Sequence, residues 1–417
     1  MRWLYILLLY LITPLVLLRL LWRSRELVEY RRRWNERFGC VPRASQPVAV
    51  WVHAVSVGES LAALPLIRAL IERHGVGRVL VTTTTPTGSA RVREALGAQV
   101  LHTYAPYDLP DVVARYLARQ RPQRVVVMET ELWPTLFRAL ARRGIPLTIA
   151  NARLSPRSFR GYSRVRGFAT ATLADCTHIA AQSAADAERF CALGADPARV
   201  SVMGNIKFDQ AVPDAQREAG HELRERIGRV RPVWIAASTH EGEEGMALTA
   251  HRELLRTHPD ALLMLVPRHP QRFDAVARQI EKAGLAYLRR SQLTADDARL
   301  ASSSVLLGDS MGEMFAYFSA SDVAFVGGSL VPVGGHNVLE PAALGLPVLF
   351  GPHMHNFVAA RDLLLEVQGA IEVSERSLTD TLRVLLGDAA RRRTLGEAAR
   401  AAVERNRGAL QRLLALL

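Results

Sequence analysis

Two acidic stretches and one lysine stand where the sequence has the means for chemistry. In WVHAVSVGES (51–60) an apolar run passes through small residues and Gly58 to Glu59. Gly58 permits a tight turn or the close approach of another backbone. A carboxylate at a helix start is held as the anion by free N–H groups and the positive end of the dipole, ready to accept a proton. The plainer role is a first-turn glutamate that only steadies its helix. METELWP (128–134) places Glu129 and Glu131 after another apolar run. Two residues apart in extended chain, they point to opposite faces, so one of them at most faces a site. Capping of the next helix is the alternative. GNIKFD (204–209) carries Lys207, which with Lys282 makes up all the lysine among 53 basic residues. It is either a point charge for a developing anion or phosphate, or an ordinary surface lysine.

The second half has a different character. STHEGEE (238–244) suits a phosphate-facing turn or an acidic helix start. VPRHPQRF (266–273) offers Arg268, His269 and Arg272 to an anionic group. GDSMGEM (308–314) combines two glycines with Asp309 and Glu313, and Gly312 lets a base or phosphate approach backbone amides. In FVGGSLVPVGGHNVLEPAALGLPVLFGP (325–352), Gly327, Gly328, Gly334 and Gly335 form two flexible turns. A helix is expected from about Asn337, its N–H groups suited to a phosphate and Glu340 to a ribose diol. His353 and His355 alternate, point apart on a strand and lack a third ligand, so no metal is expected. No Asp-x-Asp is present to hold a metal–diphosphate pair.

The elements that must position these groups alternate. Strands are expected at 48–55, 76–85, 98–106, 121–130, 145–152 and 176–183, with amphipathic helices between them. The rhythm restarts with strands at 231–238, 261–268, 303–309, 321–329 and 346–352, and the end, from Leu378, reads as helical. Such alternation implies parallel sheets covered on both faces. The expectation is two facing Rossmann-like domains that bind ligands at their strand C-termini. The boundaries read are 25–210 for the first domain, 211–232 for a polar linker, 233–395 for the second domain, and 396–417 for a helix returning to the first.

The N-terminus differs in kind. Residues Trp3–Leu18 carry no charge, and arginines follow at 19, 23, 25, 31, 32, 33 and 37. As a helix the uncharged run spans roughly 24 Å, against about 30 Å for a hydrocarbon core. With no small-residue cleavage site after it, residues 1–24 read as a retained membrane anchor, spanning or lying in one leaflet, with a basic cytoplasmic flank against anionic lipid. The formal net charge of +13 points to an anionic partner. Three cysteines without CxxC spacing read as free thiols in a reducing compartment.

Taken in order, RRRWNERFG, HAVSVGES, TTTTPTGSAR, PYDLPD, METELWP, IANARLSPRS, GNIKFD, STHEGEE, VPRHPQRF, GDSMGEM, GGSLVPVGGHNVLEPAA and GPHMHNF resemble the 3-deoxy-D-manno-oct-2-ulosonic acid (Kdo) transferases nearly end to end. The sequence departs from that pattern at Asn205 before the lysine and at VPV before GGHN. The resemblance implies an α/β GT-B fold and an inverting, metal-independent transfer of Kdo from CMP-Kdo to a lipid A precursor at the bacterial inner membrane, with no cofactor. It implies Glu59 as general base, and Glu129 and Lys207 as stabilisers of the transition state. It assigns CMP to Pro267, Arg268, Met311, Gly312, Glu313, Asn337, Val338, Leu339 and Glu340. Two alternatives stay open. One is an enzyme of the same fold using a UDP-sugar, which UDP rather than CMP would protect from unfolding. The other is a basic membrane-bound nucleic-acid-binding protein, poorly matched by 6% aromatic residues and scattered arginines.

Overall fold

The computed structural model describes residues 2–25, 28–209, 212–294 and 297–417. Contacts divide the chain into two compact units, residues 2–209 with 407–417 and residues 212–406. The boundary expected at 210/211 lies outside the described residues.

The first unit is built on β1 (Val50–His53), β2 (Val79–Thr83), β3 (Leu101–Tyr104), β4 (Val125–Met128), β5 (Leu147–Ala152), β6 (His178–Ala181) and β7 (Val200–Val202). All pairings are parallel, in the order β3-β2-β1-β4-β5-β6-β7. These strands read as unbroken apolar runs because both faces are covered. Trp51 packs with Tyr116 and Phe137 on one side. Its neighbours Val50 and Val52 pack with Leu66, Ile67 and Leu70 on the other. β7 escaped the sequence reading: it is a three-residue edge strand with no buried residue, so no apolar run marks it.

The second unit repeats the design with β8 (Val233–Thr239), β9 (Leu262–Pro267), β10 (Tyr287–Arg289), β11 (Val305–Leu307), β12 (Val323–Val326), β13 (Val348–Phe350) and β14 (Ala370–Glu372). Their order is β10-β11-β9-β8-β12-β13-β14, again parallel throughout. β10 and β14 are three-residue edge strands and were likewise not anticipated.

Two boundary expectations need correcting. The stretch read as a linker holds the helix Asp214–Ile227. Its Leu223 and Ile227 join the core with Ile235 and Met264, and Arg224 grips both carboxylate oxygens of Asp322 at 3.1 Å. Only a narrow apolar stripe, Gly220, Leu223 and Ile227, is buried on an otherwise charged helix, and average composition conceals it. The helix expected over 396–417 is two helices, broken near Gly408 at φ +90°. Ala389–Arg405 stays with the second unit, while Ala409–Leu416 joins the first. There Ala409 and Leu413 complete the Leu66 layer, and Asp209 accepts the N–H groups of Gly408 and Leu410 at 2.5 Å each.

The N-terminal helix runs Arg2–Arg23, 22 residues with none buried and a mean hydropathy of 2.3 in its most apolar window. At 1.5 Å per residue it is about 33 Å long, enough to cross a membrane and longer than the uncharged run suggested. Its polar side chains nevertheless hold the first unit. Arg2 pairs with Asp175 at 3.2 Å, the Tyr5 hydroxyl donates to Asp108 at 2.9 Å, and that of Tyr10 to Asp111 at 2.7 Å. The basic flank also divides in use. Arg37 is buried against the Tyr104 ring and donates to the Thr84 carbonyl. Arg33 reaches Glu36, Ser89 and the His102 carbonyl. Both belong to the fold, not to a lipid-facing flank.

Candidate active site

Each sheet has a switch point at which growth passes to the other side of its first strand, and the second sheet also sets β11 back between β9 and the edge strand β10. In the first unit the switch point falls between β1 and β4, and in the second between β8 and β12. Strand order reversing in an open parallel sheet leaves a crevice beyond the strand C-termini, because the connections depart to opposite sides.

Glu59 follows β1 and Glu129 follows β4, so both stand at the first reversal. Glu59 lies in the opening turn of the helix Val57–His74, whose N-cap is Ser56. The Ser56 hydroxyl accepts the Glu59 N–H at 3.2 Å and donates to its Oε1 at 2.8 Å, while Val55 N–H donates to Oε2 at 2.9 Å. The side chain is therefore both buried and aimed by its own turn. Burial raises its pKa above the ordinary value; the Val55 and Ser56 hydrogen bonds oppose the rise, and the nearby carboxylates Glu129 and Glu131 add to it. No cation pairs with Glu59 among the described residues. A carboxylate oxygen has a second lone pair, so the capping bonds leave capacity for a proton.

Glu129 adopts φ +58°, a left-handed conformation unfavourable for a residue with a Cβ. Its N–H is tied to the Ala150 carbonyl at 2.9 Å, and its Oε1 lies 3.6 Å from Lys207 Nζ. Strain of this kind persists only where surrounding structure over-determines it. Glu131 accepts the Trp133 indole N–H at 3.0 Å. Lys207 rides a single turn, Ile206–Asp209. That turn is set by Asn151, which is itself buried and left-handed and whose Oδ1 accepts the Ile206 N–H at 3.1 Å. Asn205, the departure from the expected pattern, accepts the Lys207 N–H at 3.0 Å and donates to Gln182 at 3.2 Å. Glu59, Glu129, Glu131 and Lys207 thus come together. Asn151 was missed; its place in IANA gave no signal beyond an amide in an apolar strand.

In the second unit, the expected nucleotide residues stand at the ends of three strands, β9, β11 and β12. Pro267 closes β9, and Arg268 N–H donates to the Thr239 carbonyl at 3.0 Å. Met311, Gly312 and Glu313 follow β11. Met311 is 57% exposed, Gly312 takes φ +82°, and Glu313 binds Arg290 at 2.7 Å. Asn337 to Glu340 follow β12. The Asn337 amide donates to Glu340 at 3.1 Å, and its Oδ1 accepts the Leu339 N–H at 3.1 Å. The helix there, Leu339–Ala343, has only five residues, so its dipole is weaker than the expected helix would give. Val338 and Leu339 are buried and offer backbone, not side chain.

The glycine turn after β12 closes on a side chain of the protein itself. Its N–H groups do not stand open for a phosphate. Those of Gly328, Ser329 and Leu330 donate to the buried carboxylate of Glu243 at 2.6, 3.0 and 2.9 Å, and His240 N–H donates to it at 2.9 Å. The anion in this nest is internal. Gly327 has no room for a Cβ, which would meet the Ser238 carbonyl at 2.8 Å and Glu243 at 2.9 Å. Beside Glu243, Glu244 pairs with Arg272 at 3.2 Å. Among the described residues no cluster of three or more His, Cys, Asp or Glu is placed to hold a metal.

Comparison with known proteins gives a consistent result. A family model described as 3-deoxy-D-manno-octulosonic-acid transferase (kdotransferase) matches residues 32–210. The chain is 42% identical over 420 residues to the 3-deoxy-D-manno-octulosonic acid transferase of Haemophilus influenzae, covering 100% of this chain and 98% of that one. It is 41% identical over 413 residues to that of Bordetella pertussis, covering 94% of each. Among solved structures, a glycosyltransferase from Rickettsia africae aligns with TM-score 0.54 at 13% identity, covering 88% of this chain and 97% of that one. That likeness supports the two-Rossmann, GT-B class of fold.

Proposed function

The chain belongs to the 3-deoxy-D-manno-octulosonic acid (Kdo) transferase family, glycosyltransferases of lipopolysaccharide synthesis, and from that premise we propose that it moves Kdo from CMP-Kdo to a hydroxyl of a lipid A precursor with inversion at the anomeric carbon. Glu59 is the base. It draws the proton from the acceptor hydroxyl, whose oxygen attacks the anomeric carbon as the bond to the CMP phosphate breaks. The observation that carries this reading is the state of Glu59: buried, aimed by Ser56 and Val55, without a cationic partner among the described residues, its pKa raised chiefly by burial, which makes it a better base.

Lys207 stabilises developing negative charge, and Glu129 holds Lys207 in place. Arg268, the Met311–Glu313 turn and the segment Asn337–Glu340 bind CMP at the strand ends of the second unit. The unburied helix Arg2–Arg23 supports attachment to the bacterial inner membrane, with the two units on the cytoplasmic side. The acceptor's acyl chains lie in that same bilayer, which explains why a transferase of this kind needs an anchor.

The test is direct. Purified protein is given CMP-Kdo and a lipid A precursor, and products are read by mass spectrometry. Products heavier by whole Kdo residues, with EDTA leaving the rate unchanged, support the reading. Transfer from a UDP-sugar instead, or no transfer from CMP-Kdo, would overturn it.

A further inference from the structure

Three histidines converge at the second sheet's switch point, and the proposed function gives none of them a role. His240 follows β8, His269 follows β9, and His336 follows the Gly334–Gly335 turn after β12. The rings of His240 and His336 are parallel within 9°, with centroids 5.1 Å apart and Nε2 atoms only 2.8 Å apart. Nitrogens that close beneath centroids that distant mean that the rings meet edge to edge through their nitrogens, not face to face. The His269 ring stands perpendicular to His240, with centroids 5.3 Å apart. Gly328 makes room for the pair: a Cβ there would lie 3.0 Å from His336 and 3.5 Å from His240.

This contact has one chemical consequence. Two Nε2 atoms at hydrogen-bond distance share a single proton, since two N–H groups cannot face each other there. The pair therefore exists as a neutral dimer or as a monocation. Arg268 and His269 disfavour added positive charge at both rings, Arg272 does so at His240, and Glu243 beside His240 favours it. Burial disfavours the charged form of both imidazoles. An incoming oxyanion reverses that balance. Among the described residues neither ring's Nδ1 has a protein partner, which leaves those atoms for a ligand.

We propose that the His240–His336 pair is a phosphate subsite that takes up one proton when a nucleotide monophosphate group binds and returns it to the phosphate as that group departs. The inference rests on reading the second unit as the CMP-binding unit. In the transfer, the electrons of the carbon–oxygen bond pass to the phosphate oxygen. That oxygen receives the pair's proton while the acceptor's proton passes to Glu59, so charge and atoms balance. Both sites reset by exchange with solvent.

The experiment is titration calorimetry at pH 7.5 in buffers of differing ionisation heat, with CMP, cytidine, free Kdo and inorganic phosphate as separate probes. Wild type is expected to take up roughly one proton per CMP or phosphate bound, the linkage signature of a group whose pKa rises on binding, and none with cytidine or Kdo. Histidine 240 or 336 changed singly (His240→Gln, His336→Gln) should abolish the uptake and weaken CMP at least tenfold while cytidine binding persists; that persistence also shows the variant is folded. Uptake retained in both variants would overturn the proposal, as would uptake with Kdo alone, which would assign the pair to the sugar carboxylate. If CMP fails to bind wild type, the donor reading fails; proton uptake with inorganic phosphate then decides the subsite by itself, and its absence overturns it.

Discussion

At the scale of single residues, the first sheet's reversal gathers groups that stability alone does not explain. Glu129 occupies a left-handed conformation and holds Lys207. A glycine would take that conformation without strain, so Glu129→Gly should change unfolding free energy by no more than about 1 kcal/mol, yet lower turnover at least tenfold. A loss of several kcal/mol in denaturant unfolding would make Glu129 a structural residue instead. Lys207→Ala should likewise slow turnover far more than it shifts the melting temperature. Burial dictates a pH dependence as well. His53 and His251 are pushed down to about 4, chiefly by desolvation, and His102 to about 3. An unfolded chain protonates these rings near pH 6.5 while the folded one resists. Stability is therefore fully present above pH 6.5 and drains away as pH falls toward 4. Asp108, raised to about 6 by burial, works in the opposite sense, as do Glu59 and Glu244, also raised chiefly by burial, but the depressed imidazoles outnumber these carboxyls. Denaturant midpoints at pH 7.5, 6 and 5 should fall in that order; a flat series would refute the sign.

At the scale of elements, a few devices place the chemistry. Asp209 stands two residues beyond Lys207 and caps the helix Ala409–Leu416, so the chain's last turns brace the turn that carries the lysine. Deleting residues 407–417 exposes the Leu66 layer and frees that turn. The expected outcome is a melting temperature lower by several degrees and a larger proportional loss of turnover than of CMP affinity. Equal losses would show the tail to be general scaffold. The central strands were legible in the sequence because each is an apolar run covered on both faces, as Trp51 between Val50 and Val52 illustrates. The edge strands β7, β10 and β14 were not, being three residues long and largely unburied. Glu59, Glu129 and Lys207 were legible as acids and a rare lysine next to such runs. Asn151 and Glu243 were not, because their importance lies in distant backbone N–H groups that no local pattern reveals. The glycines after β12 were legible as two turns, but the anion that the first of them encloses was not, since it is a side chain of the protein itself.

At the scale of the whole molecule, the functional account assigns the acceptor and the base to the first unit, the nucleotide to the second, and the membrane to the helix Arg2–Arg23. That helix is bound to the first unit through Arg2, Tyr5 and Tyr10, so anchor and base move as parts of one body. Removing residues 2–24 should slow transfer to membrane-embedded acceptor while sparing a short-chain soluble one. Equal loss with both would make the helix part of the scaffold rather than an anchor. The division of labour is tested most directly through Glu59→Gln. Glutamine keeps the carbonyl oxygen that completes the capping turn but accepts no proton. Single-turnover transfer should fall roughly 10²- to 10⁴-fold, with CMP affinity and melting temperature unchanged. Transfer at the wild-type rate, or a loss of activity that merely tracks a loss of folded protein, would contradict the account.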